Sequence, residues 1–480
     1  MGTPAPSYDE LAALAATLRA RVADLEREVA RLAAENADLR RRLELKPPPT
    51  PPPAEFAKPS LSPRRKRKKP GRPAGHAPAL RPPPTEIHAE VEVPLEADAD
   101  GRCLCPDCRR VLADLADHDR DVEEVAPPPP PRVTRYHTHS GFCPGCRRRV
   151  ESRHPDQPPA ADVPHAQLGL NALAIAAALK HDAGLPYRKV ARAMMDLCGL
   201  RVSHAALVKQ VRRLGGWLDA PGGACEAIRD RLRAGDHVHA DETRWRVDGV
   251  KHWLWAMTNP DCTLYEVDKR RSAEVVRRVL GEGYGGHVVS DFLPTYDKLP
   301  YKAQKCIPHL LRDIARTSER SPPFAATAFA RKLKRAAKDL LRLKARWDDL
   351  GDDAYTLRAS RLADRLDALA KTESGDKDVR RLAKRLVRHA GGMAAFLLIK
   401  ALPGDNNAAE RAIRPGVIIR KVSGGHRGGT TATAAAAVMS VLRTIRQQGR
   451  NLIGTLKGLV QRHLAGQPCD LFTPDAPPAR

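Results

Sequence analysis

Residues 236–242 read DHVHADE, and this stretch opens the part of the chain that decides the fold. Two further stretches follow it closely, KHWLWAMT at 251–258 and CTLYEVDK at 262–269. The turn-forming pairs Asp248-Gly249 and Asn259-Pro260 separate the three stretches. Short runs rich in Val, Leu, Trp and Tyr that are bounded by turn formers predict three consecutive β-strands.

The next segments complete the order of elements. A helix is predicted over 272–280, and GGHVVSDF at 285–292 predicts a fourth strand. A three-strand meander, a crossover helix and a strand that returns beside the first strand form the order of a ribonuclease-H-like core. We therefore predict a multidomain α+β protein with a ribonuclease-H-like α/β core over 230–450, and with a basic helical insert at about 310–400.

Two aspartates occupy corresponding places in this core. Asp241 lies at the end of the first predicted strand and Asp291 at the end of the fourth. If the two strands are parallel neighbours, both carboxylates emerge at one edge, where oxygen ligands suit Mg²⁺ and a pair of ions would serve phosphodiester chemistry. The alternative is that each aspartate only forms a turn. Strand alternation points Glu242 to the opposite face, and Asp297 is interpreted as a surface residue.

Residues 404–415, GDNNAAERAIRP, raise a question about one acid. Turn formers lead into helix formers and the run ends at Pro415, which predicts a short helix. Asn407 as the N-cap and Glu410 three residues later match a capping box. The other interpretation makes Glu410 the third carboxylate of a metal site, and this stretch alone leaves both open.

Charge and length limit the possible partners. The chain has 480 residues, which suggests about three folded units, and its formal net charge is +25. Such a chain attracts polyanions, with nucleic acid first and a membrane surface second. No apolar run approaches the roughly 18 residues of a spanning helix, and no secretory signal is visible. The 10 cysteines are therefore expected in a reducing compartment, where paired CxxC motifs favour metal over disulfides.

The N-terminal segment 8–45 predicts a coiled coil. Leu11, Leu18, Leu25, Leu32 and Leu39 recur every seven residues. Valine in the second seam and a single Asn36 favour a parallel two-stranded coil, and hence a homodimer or higher oligomer. A lone amphipathic helix is the alternative. The proline-rich residues 47–53 separate this segment from the rest of the chain.

A basic linker follows over 46–84. Six consecutive basic residues are expected to contact phosphates: Arg64, Arg65, Lys66, Arg67, Lys68 and Lys69. The Gly71-Arg72-Pro73 core after them resembles an AT-hook, in which Arg72 would enter a narrow minor groove. The alternative is a solvated basic linker.

Two CxxC motifs predict a zinc-binding module over 85–160. Cys105 and Cys108 form the first, Cys143 and Cys146 the second, and four thiolates satisfy a tetrahedral structural Zn²⁺. Cys103 is a competing ligand, and unliganded thiols are the alternative.

Residues 165–220 predict a helical region. A first helix is predicted in the apolar stretch 168–179, a second from Pro186 to near Cys198-Gly199, and a third from Ser203. The short turn GLRV between the second and third helices matches a helix-turn-helix pattern. Lys209, Arg212 and Arg213 on the third helix would then face DNA. An ordinary helical bundle is the alternative.

Four stretches in order resemble the insertion sequence 66 family of bacterial DDE transposases: HADETRW, VVSDFLPTYDKL, CIPHLLRDIAR and DNNAAERAIRPGVIIRKVSGGHRGG. The arrangement of coil, GRP linker, CxxC region and helical region is similar too. The resemblance implies that Asp241, Asp291 and Glu410 form the catalytic acidic triad and bind Mg²⁺. One departure is the region of the second acid, which reads SDFLPTYDKL where the family tends toward a DGY-like sequence.

Basic residues beside Glu410 are predicted to hold DNA phosphates: Arg411, Arg414, Arg420, Lys421 and Arg427. The glycine-rich loop at 424–429 precedes a small-residue helix whose N-terminus could bind phosphate. A solvated face and a flexible hinge are the respective alternatives. Cys306 and His309 match a Cys-x-x-His step of the family, to which we assign no chemistry.

The whole pattern predicts an Mg²⁺-dependent DNA transposase that cleaves and joins strands at the ends of a bacterial insertion sequence. Double-stranded DNA, a second copy of the chain and accessory proteins of the element are the expected partners, in the cytoplasm at the nucleoid. Residues 451–480 are expected to form a C-terminal tail. The rival functions are a catalytically inactive DNA-binding regulator and a non-specific nuclease of the same fold.

Overall fold

A computed structural model describes residues 8–42, 84–125, 130–152, 154–157 and 168–472. The chain divides into two compact units, Met1–Glu124 and Val125–Arg480. The predicted phosphate-contacting linker residues, Arg64 to Lys69 and Arg72, lie outside the described residues. In the part of the chain that the structure describes, no helix is long and apolar enough to cross a membrane.

The first unit contains one long helix, α1 (Tyr8–Arg42). Four apolar side chains of the predicted seam are about half-exposed or more, namely Val22 (54%), Leu25 (59%), Val29 (65%) and Leu32 (49%). Their spacing of three and four residues places them on one face of the helix. This apolar face is what a coiled-coil partner requires, and the coiled coil itself stays a prediction.

Helices form the start of the main part of the second unit, after a small hairpin of β1 (Ser140–Cys143) and β2 (Arg148–Glu151). They are α2 (Leu170–His181), α3 (Tyr187–Cys198), α4 (His204–Leu218) and α5 (Ala224–Arg233). Gly199 ends α3 with a φ of 62°, and the hydroxyl of Ser203 accepts a hydrogen bond from the amide of Ala206 to cap α4. The three expected helices of this region are therefore present.

A five-stranded mixed sheet follows, with the order β5-β4-β3-β6-β7. Its strands are β3 (His237–Val247), β4 (Val250–Thr258), β5 (Thr263–Asp268), β6 (His287–Ser290) and β7 (Lys302–Lys305). The helix α6 (Ala273–Leu280) connects β5 to β6. Asp248 and Gly249 both have positive φ, 51° and 73°, as a tight hairpin turn between β3 and β4 requires. The fourth predicted strand, β6, lies parallel to the first, β3, as expected.

Strand alternation assigns the residues of β3 to two different cores. Trp245 and Val247 pack with Ala412, Ile413 and other residues of the C-terminal helices on one face. Val238 and Ala240 pack on the other face, against the helical region and α6. Asp241 shares the alternation of Trp245 and Val247, so it belongs to the face that the C-terminal helices cover.

The helical insert lies between β7 and the C-terminal helices and has its own hydrophobic core. It contains α7 (Ile307–Arg320), α8 (Pro322–Ala326), α9 (Ala328–Lys344), α10 (Asp352–Ala370), α11 (Lys377–Arg388) and α12 (Ala390–Met393). Short 3₁₀ turns occur at Tyr296–Lys298 and Ala395–Leu397.

Three helices end the described chain: α13 (Asn407–Ser423), α14 (Gly429–Gln447) and α15 (Leu452–Leu464). The expectation that the helix at 404–415 stops at Pro415 is wrong, because α13 continues two turns beyond this proline. The predicted C-terminal tail begins with α15, whose Leu456 and Leu459 are fully buried. Burial of these side chains stabilises the position of α15 in the core of the second unit.

Two adjacent glycines on α4 give a matched test of this packing. A Cβ at Gly215 would lie 2.3 Å from the carbonyl oxygen of Ala434 on α14, whereas a Cβ at Gly216 would meet nothing within 4 Å. We expect Gly215→Ala to lower the free energy of unfolding by about 1–3 kcal/mol through overpacking. Gly216→Ala should raise it by roughly 0.5–1 kcal/mol through helix propensity. Urea unfolding of both variants checks this, and equal effects would contradict the close α4–α14 approach.

Candidate active site where β6 ends beside β3

The pairing of β3 with β6 places two acids at the same level of the sheet. The last paired residues are His239 and Val289, and each acid lies two positions further along its strand direction. Because the strands are parallel neighbours, Asp241 and Asp291 emerge together at one edge. The parallel, level placement of the two aspartates is therefore as expected. The expectation that Asp241 ends its strand is wrong, because pairing with β4 continues β3 to Val247.

The third acid, Glu410, comes from the first turns of α13. The helix begins after Asn406, which is almost fully buried (1% exposed). The side-chain amide of Asn406 donates to the carbonyl of Ala240 at 2.9 Å, and its oxygen lies 3.1 Å from Nδ1 of His239. The backbone N–H of Asn406 donates to Sγ of Cys306 at 3.2 Å. These bonds attach the start of α13 to β3 immediately before Asp241.

The capping-box interpretation of Glu410 is wrong. Asn406, not Asn407, is the N-cap, and no side-chain cap bond forms. The Glu410 carboxylate instead accepts a hydrogen bond from Nη2 of Arg312 at 2.7 Å, and Nε2 of His309 lies 3.5 Å away. Both partners belong to α7, so Glu410 faces the start of the insert. We call the part of the sheet that presents Asp241 and Asp291, together with Glu410, the acid edge.

Asp241 senses the other two acids electrostatically. Burial is the first cause that raises the pKa of Asp241 to about 7. The carboxylates of Glu242, Asp291 and Glu410 add to the increase, and the amide of Glu242, which donates to Oδ1 of Asp241 at 2.9 Å, opposes it. A buried carboxyl with this proton affinity is stabilised in its charged form by a bound cation.

The three acids have the oxygen ligands that a hard divalent ion prefers, but their side chains are not arranged around a common ion position. Asp241, Asp291 and Glu410 supply the oxygen ligands that Mg²⁺ takes. Among the described residues, no three His, Cys, Asp or Glu side chains are close enough to hold a metal ion. The Arg312 guanidinium occupies the Glu410 carboxylate, so a metal ion would replace an ion pair at this acid.

His309 is the other α7 residue beside the acids. Burial, followed by the charge of Arg312, lowers the pKa of His309, which favours the neutral ring. Its Nδ1 is buried and has no hydrogen-bond partner within the described part of the chain. Nη1 of Arg312 lies 3.2 Å from Nε2 of His309, so the neutral ring orders the Arg312 guanidinium beside Glu410.

Sequence reasoning passed over Glu242, which the structure places in a buried network. Its side chain is 2% exposed, accepts from Nη2 of Arg271 at 2.6 Å and accepts a hydrogen bond from the Tyr296 hydroxyl. It points away from Asp241 as expected, toward the opposite face of the sheet. The tight pairing of a strand carboxylate with a distant arginine left no local signal in the sequence.

Asp297 is exposed, as expected, and its carboxylate also pairs with a buried lysine. Its carboxylate accepts from Nζ of Lys305, at 2.9 Å, and the Lys305 side chain is only 2% exposed. Lys305 also donates to the backbone carbonyl of Asp291 at 3.3 Å and lies 3.4 Å from the hydroxyl of Ser290. This buried ammonium group therefore positions the backbone that presents the second acid, and Asp297 neutralises it.

The glycine-rich loop is attached to the end of β3. The amide of His426 donates to the carbonyl of Arg246 at 2.9 Å, and the amide of Asp248 donates to the carbonyl of His426 at 2.8 Å. Gly425 has a φ of 124°, and a Cβ there would lie 2.3 Å from the Arg246 oxygen. These two backbone bonds argue against the flexible-hinge interpretation at this point of the loop.

The basic residues predicted to contact DNA differ in what they do. Those whose side chains are exposed are Lys209, Arg212, Arg411, Arg414, Lys421 and Arg427, and Arg213 is half-buried. Arg420 donates to the hydroxyl of Thr243 at 2.9 Å and to the carbonyl of Arg244 at 2.6 Å. Arg420 therefore braces α13 against β3 with part of its guanidinium.

Each CxxC motif brings its own two sulfurs together. Sγ of Cys143 lies 3.5 Å from Sγ of Cys146. Backbone N–H groups of Cys108 and Asp107 lower the pKa of Cys105, and those of Cys146 and Gly145 do the same for Cys143. Such amide donors favour thiolates. The two motifs belong to different units of the chain, and the four-sulfur Zn²⁺ site stays a prediction.

Replacing Asp241 by Asn should change how stability depends on pH. The folded pKa of about 7 exceeds the ordinary 3.8, so the folded state holds this proton more tightly than the unfolded state does. The stabilising contribution is complete below the ordinary pKa and is lost as pH rises through about 7. Without divalent metal, we expect the Tm of Asp241→Asn to fall less between about pH 5 and pH 8 than that of the wild type. Asp353→Asn, at an exposed position on α10, is the control, and parallel pH curves for all three proteins would contradict the prediction.

Comparison with known proteins shows to which family the chain belongs. The model of the family described as "Transposase IS66 family" matches residues 165–434, more than half of the chain, and this span contains all three acids. The chain is also 28% identical over 337 residues to "Uncharacterized protein y4qI" of Sinorhizobium fredii (strain NBRC 101917 / NGR234), covering 62% of this chain. The match spans 60% of the length of that relative. On the extent of the family match, this chain belongs to the IS66 family of transposases.

Proposed function

We propose that this chain is a DNA transposase in which Asp241, Asp291 and Glu410 bind Mg²⁺ for strand cleavage and strand transfer at the ends of an insertion sequence. The observation that carries the proposal is the level position of Asp241 and Asp291 on two parallel neighbouring strands, with Glu410 close enough to raise the pKa of Asp241. The order β5-β4-β3-β6-β7 supports a ribonuclease-H-like core. Membership of the family implies a divalent-metal requirement.

The residues present suit in-line phosphodiester chemistry. When bound by the three acids, Mg²⁺ supplies activation of the attacking hydroxyl and stabilisation of the leaving oxygen. Lys305 holds the Asp291 backbone, and Asn406 holds the start of the Glu410 helix. Both contacts hold the backbone that carries the acids, and both Lys305 and Asn406 are buried. The three carboxylates would still have to move together to hold an ion, because among the described residues no three such side chains are close enough.

Arg312 has two possible anionic partners in this proposal, the Glu410 carboxylate and a DNA phosphate. Its side chain is 46% exposed and is bonded to Glu410, on the solvent side of the acid edge. If a metal ion took the place of Arg312 at Glu410, the guanidinium would be free to bind a DNA phosphate. Arg411 and Arg414, exposed on α13 beside Glu410, add further positive charge for the same backbone.

The N-terminal half supplies DNA binding and assembly in this proposal. Lys209 and Arg212 lie exposed on α4 and would face DNA. The apolar face of α1 with Leu25 and Leu32 would pair with a second copy of the chain. The four cysteines Cys105, Cys108, Cys143 and Cys146 would bind a structural Zn²⁺. The basic linker would hold the phosphates of the element ends.

Conservative substitution of each acid tests the catalytic proposal. We expect Asp241→Asn, Asp291→Asn and Glu410→Gln each to lower Mg²⁺-dependent cleavage of element-end DNA by about 10³-fold or more, because several kcal/mol of charge stabilisation is lost. DNA binding should stay close to that of the wild type. Glu274→Gln, at an exposed acid on α6, is the matched control and should cleave normally.

The outcomes separate the rival functions. A wild type that binds element ends and never cleaves them is a DNA-binding regulator. Equal cleavage of unrelated DNA indicates a non-specific nuclease. If Glu410→Gln cleaves like the wild type, Glu410 has no metal-binding role.

Arg312→Gln tests the exchange of partners at Glu410. Removing a half-exposed ion pair that competes with the metal should strengthen Mn²⁺ binding by roughly 1 kcal/mol, about fivefold, in a titration followed by electron paramagnetic resonance. Cleavage should nevertheless become slower, because a phosphate-binding group is lost. Arg316→Gln, one turn further along α7, is the control for the loss of one positive charge. Unchanged or weaker Mn²⁺ binding would count against the exchange.

A further inference from the structure

A groove between α9 and α10 of the insert is lined mainly by arginines. Its volume is about 370 Å³, and eight residues line it. The five arginines are Arg342, Arg346, Arg358, Arg361 and Arg365, and the remaining residues are Asp339, Leu343 and Leu362. The leucines are buried, so they form a rigid apolar base beneath the guanidinium groups.

The charges of this α9–α10 groove are poorly balanced. Asp339 accepts from Nη1 of Arg342 and from Nη1 of Arg365, at 3.1 Å in each case, so one carboxylate serves two arginines. Arg346 has only a long contact of 4.0 Å to Asp349. Within the described part of the chain, the guanidinium groups of Arg358 and Arg361 have no ion pair or side-chain hydrogen bond. The groove therefore keeps a strong positive potential in the free protein.

Packing alone does not explain this composition. Long side chains often cover apolar surface with their stems, and Leu343 and Leu362 could be covered in this way. Mixed charges or neutral glutamines would cover them equally well, without the repulsion among five guanidinium groups. An uncompensated concentration of arginine is instead typical of a surface that recognises phosphate, because the planar guanidinium binds phosphate oxygens in pairs.

The shape of the charged surface favours a long polyanion. Lys334, Lys338 and Arg342 on α9 are all exposed and four residues apart, and Arg346 continues the series. At 1.5 Å per residue, positions 334–342 of α9 extend over roughly 12 Å, longer than one phosphate group, and Arg346 lies just beyond the end of the helix. Arg358, Arg361 and Arg365 add a second row, at helical spacing, on α10. Two extended rows of cations match the regular charge of a duplex, which carries about one phosphate per 1.7 Å of its axis.

We propose that the α9–α10 groove of the insert binds the phosphate backbone of duplex DNA, as a contact surface separate from the acid edge. This inference rests on the proposed function, because it assumes DNA as the substrate. The insert is well placed for such a contact, since α9 packs in one core with α7, the helix that carries His309 and Arg312. DNA held on the insert would be fixed relative to the helix that borders the three acids.

The salt dependence of DNA binding tests the groove directly. The full-length wild type and the Arg358→Gln/Arg361→Gln variant are titrated into a fluorescent 40-base-pair duplex at salt concentrations from about 50 to 300 mM. Loss of two phosphate contacts should reduce the slope of log K against log salt by about 1.8, and affinity at about 0.1 M salt should fall tenfold or more. Lys371→Gln/Lys377→Gln, which removes two exposed charges elsewhere on the insert, should leave the slope close to that of the wild type.

Each outcome has a distinct meaning. The expected loss of slope in the groove variant alone supports the proposal. Equal slopes for wild type, groove variant and control overturn it and leave the proposed function intact, provided that the wild type binds the duplex and cleaves. A wild type that binds no duplex overturns the proposed function and the groove proposal together. Polyglutamate is titrated in parallel with the duplex. If the groove variant binds polyglutamate more weakly and the duplex as well as the wild type does, the groove binds an acidic protein and the proposal is likewise overturned.

Discussion

One buried amide, that of Asn406, links the two parts of the chain that carry Asp241 and Glu410. It joins the start of α13 to the backbone of β3 one residue before Asp241, across more than 160 positions of chain. Leaving this amide unpaired in the core would cost about 1–3 kcal/mol, so the link is strongly preferred once α13 is packed. The long insert can therefore be accommodated without loss of geometry, because the ends of the insert are held by β7 and by α13 rather than by the insert itself.

The same region has to contain several carboxylates near one another, which is unfavourable in the absence of a cation. Asp241 responds with a pKa of about 7, Glu410 pairs with Arg312, and Glu242 is turned to the other face and paired with Arg271. Lys305 lies beneath, bonded to Asp297 and to the backbone of Asp291. The site therefore reduces its own repulsion in three different ways, by protonation, by ion pairing and by strand alternation. Of these, only the alternation is independent of pH and of bound ions.

The sequence predicts well whatever depends on periodicity. Residues 236–292 contain the alternation and turn residues of a meander, and the strands and α6 occur within a few residues of the expected positions. The strand β7 was not predicted, because its residues, KAQK, lack the β-branched and aromatic side chains by which strands are recognised. Its strand conformation comes from tertiary pairing with β6.

Errors occurred where tertiary contacts override local preferences. Asn407 has the better local capping pattern, yet Asn406 is the N-cap because its side chain is engaged with β3. Pro415 usually ends a helix, but packing of Ile413 and Ile419 against the sheet keeps α13 continuous through it. Asp241 was expected at the end of a strand, but pairing with β4 extends β3 to Val247. Pairings of this kind depend on the folded geometry and have no periodic signature.

The distribution of charge explains how an acid site can accept a polyanion. The chain as a whole carries +25, whereas its central edge concentrates carboxylates. In the proposed function, a duplex approaching those carboxylates alone would be repelled, so binding would depend on cations beside the carboxylates. The helix α7 meets this requirement, because Arg312 touches Glu410 and the same helix packs in one core with the arginine-rich α9. Insertion of basic helices between the second and third acids therefore places positive charge beside the site while leaving the sheet edge itself to the carboxylates.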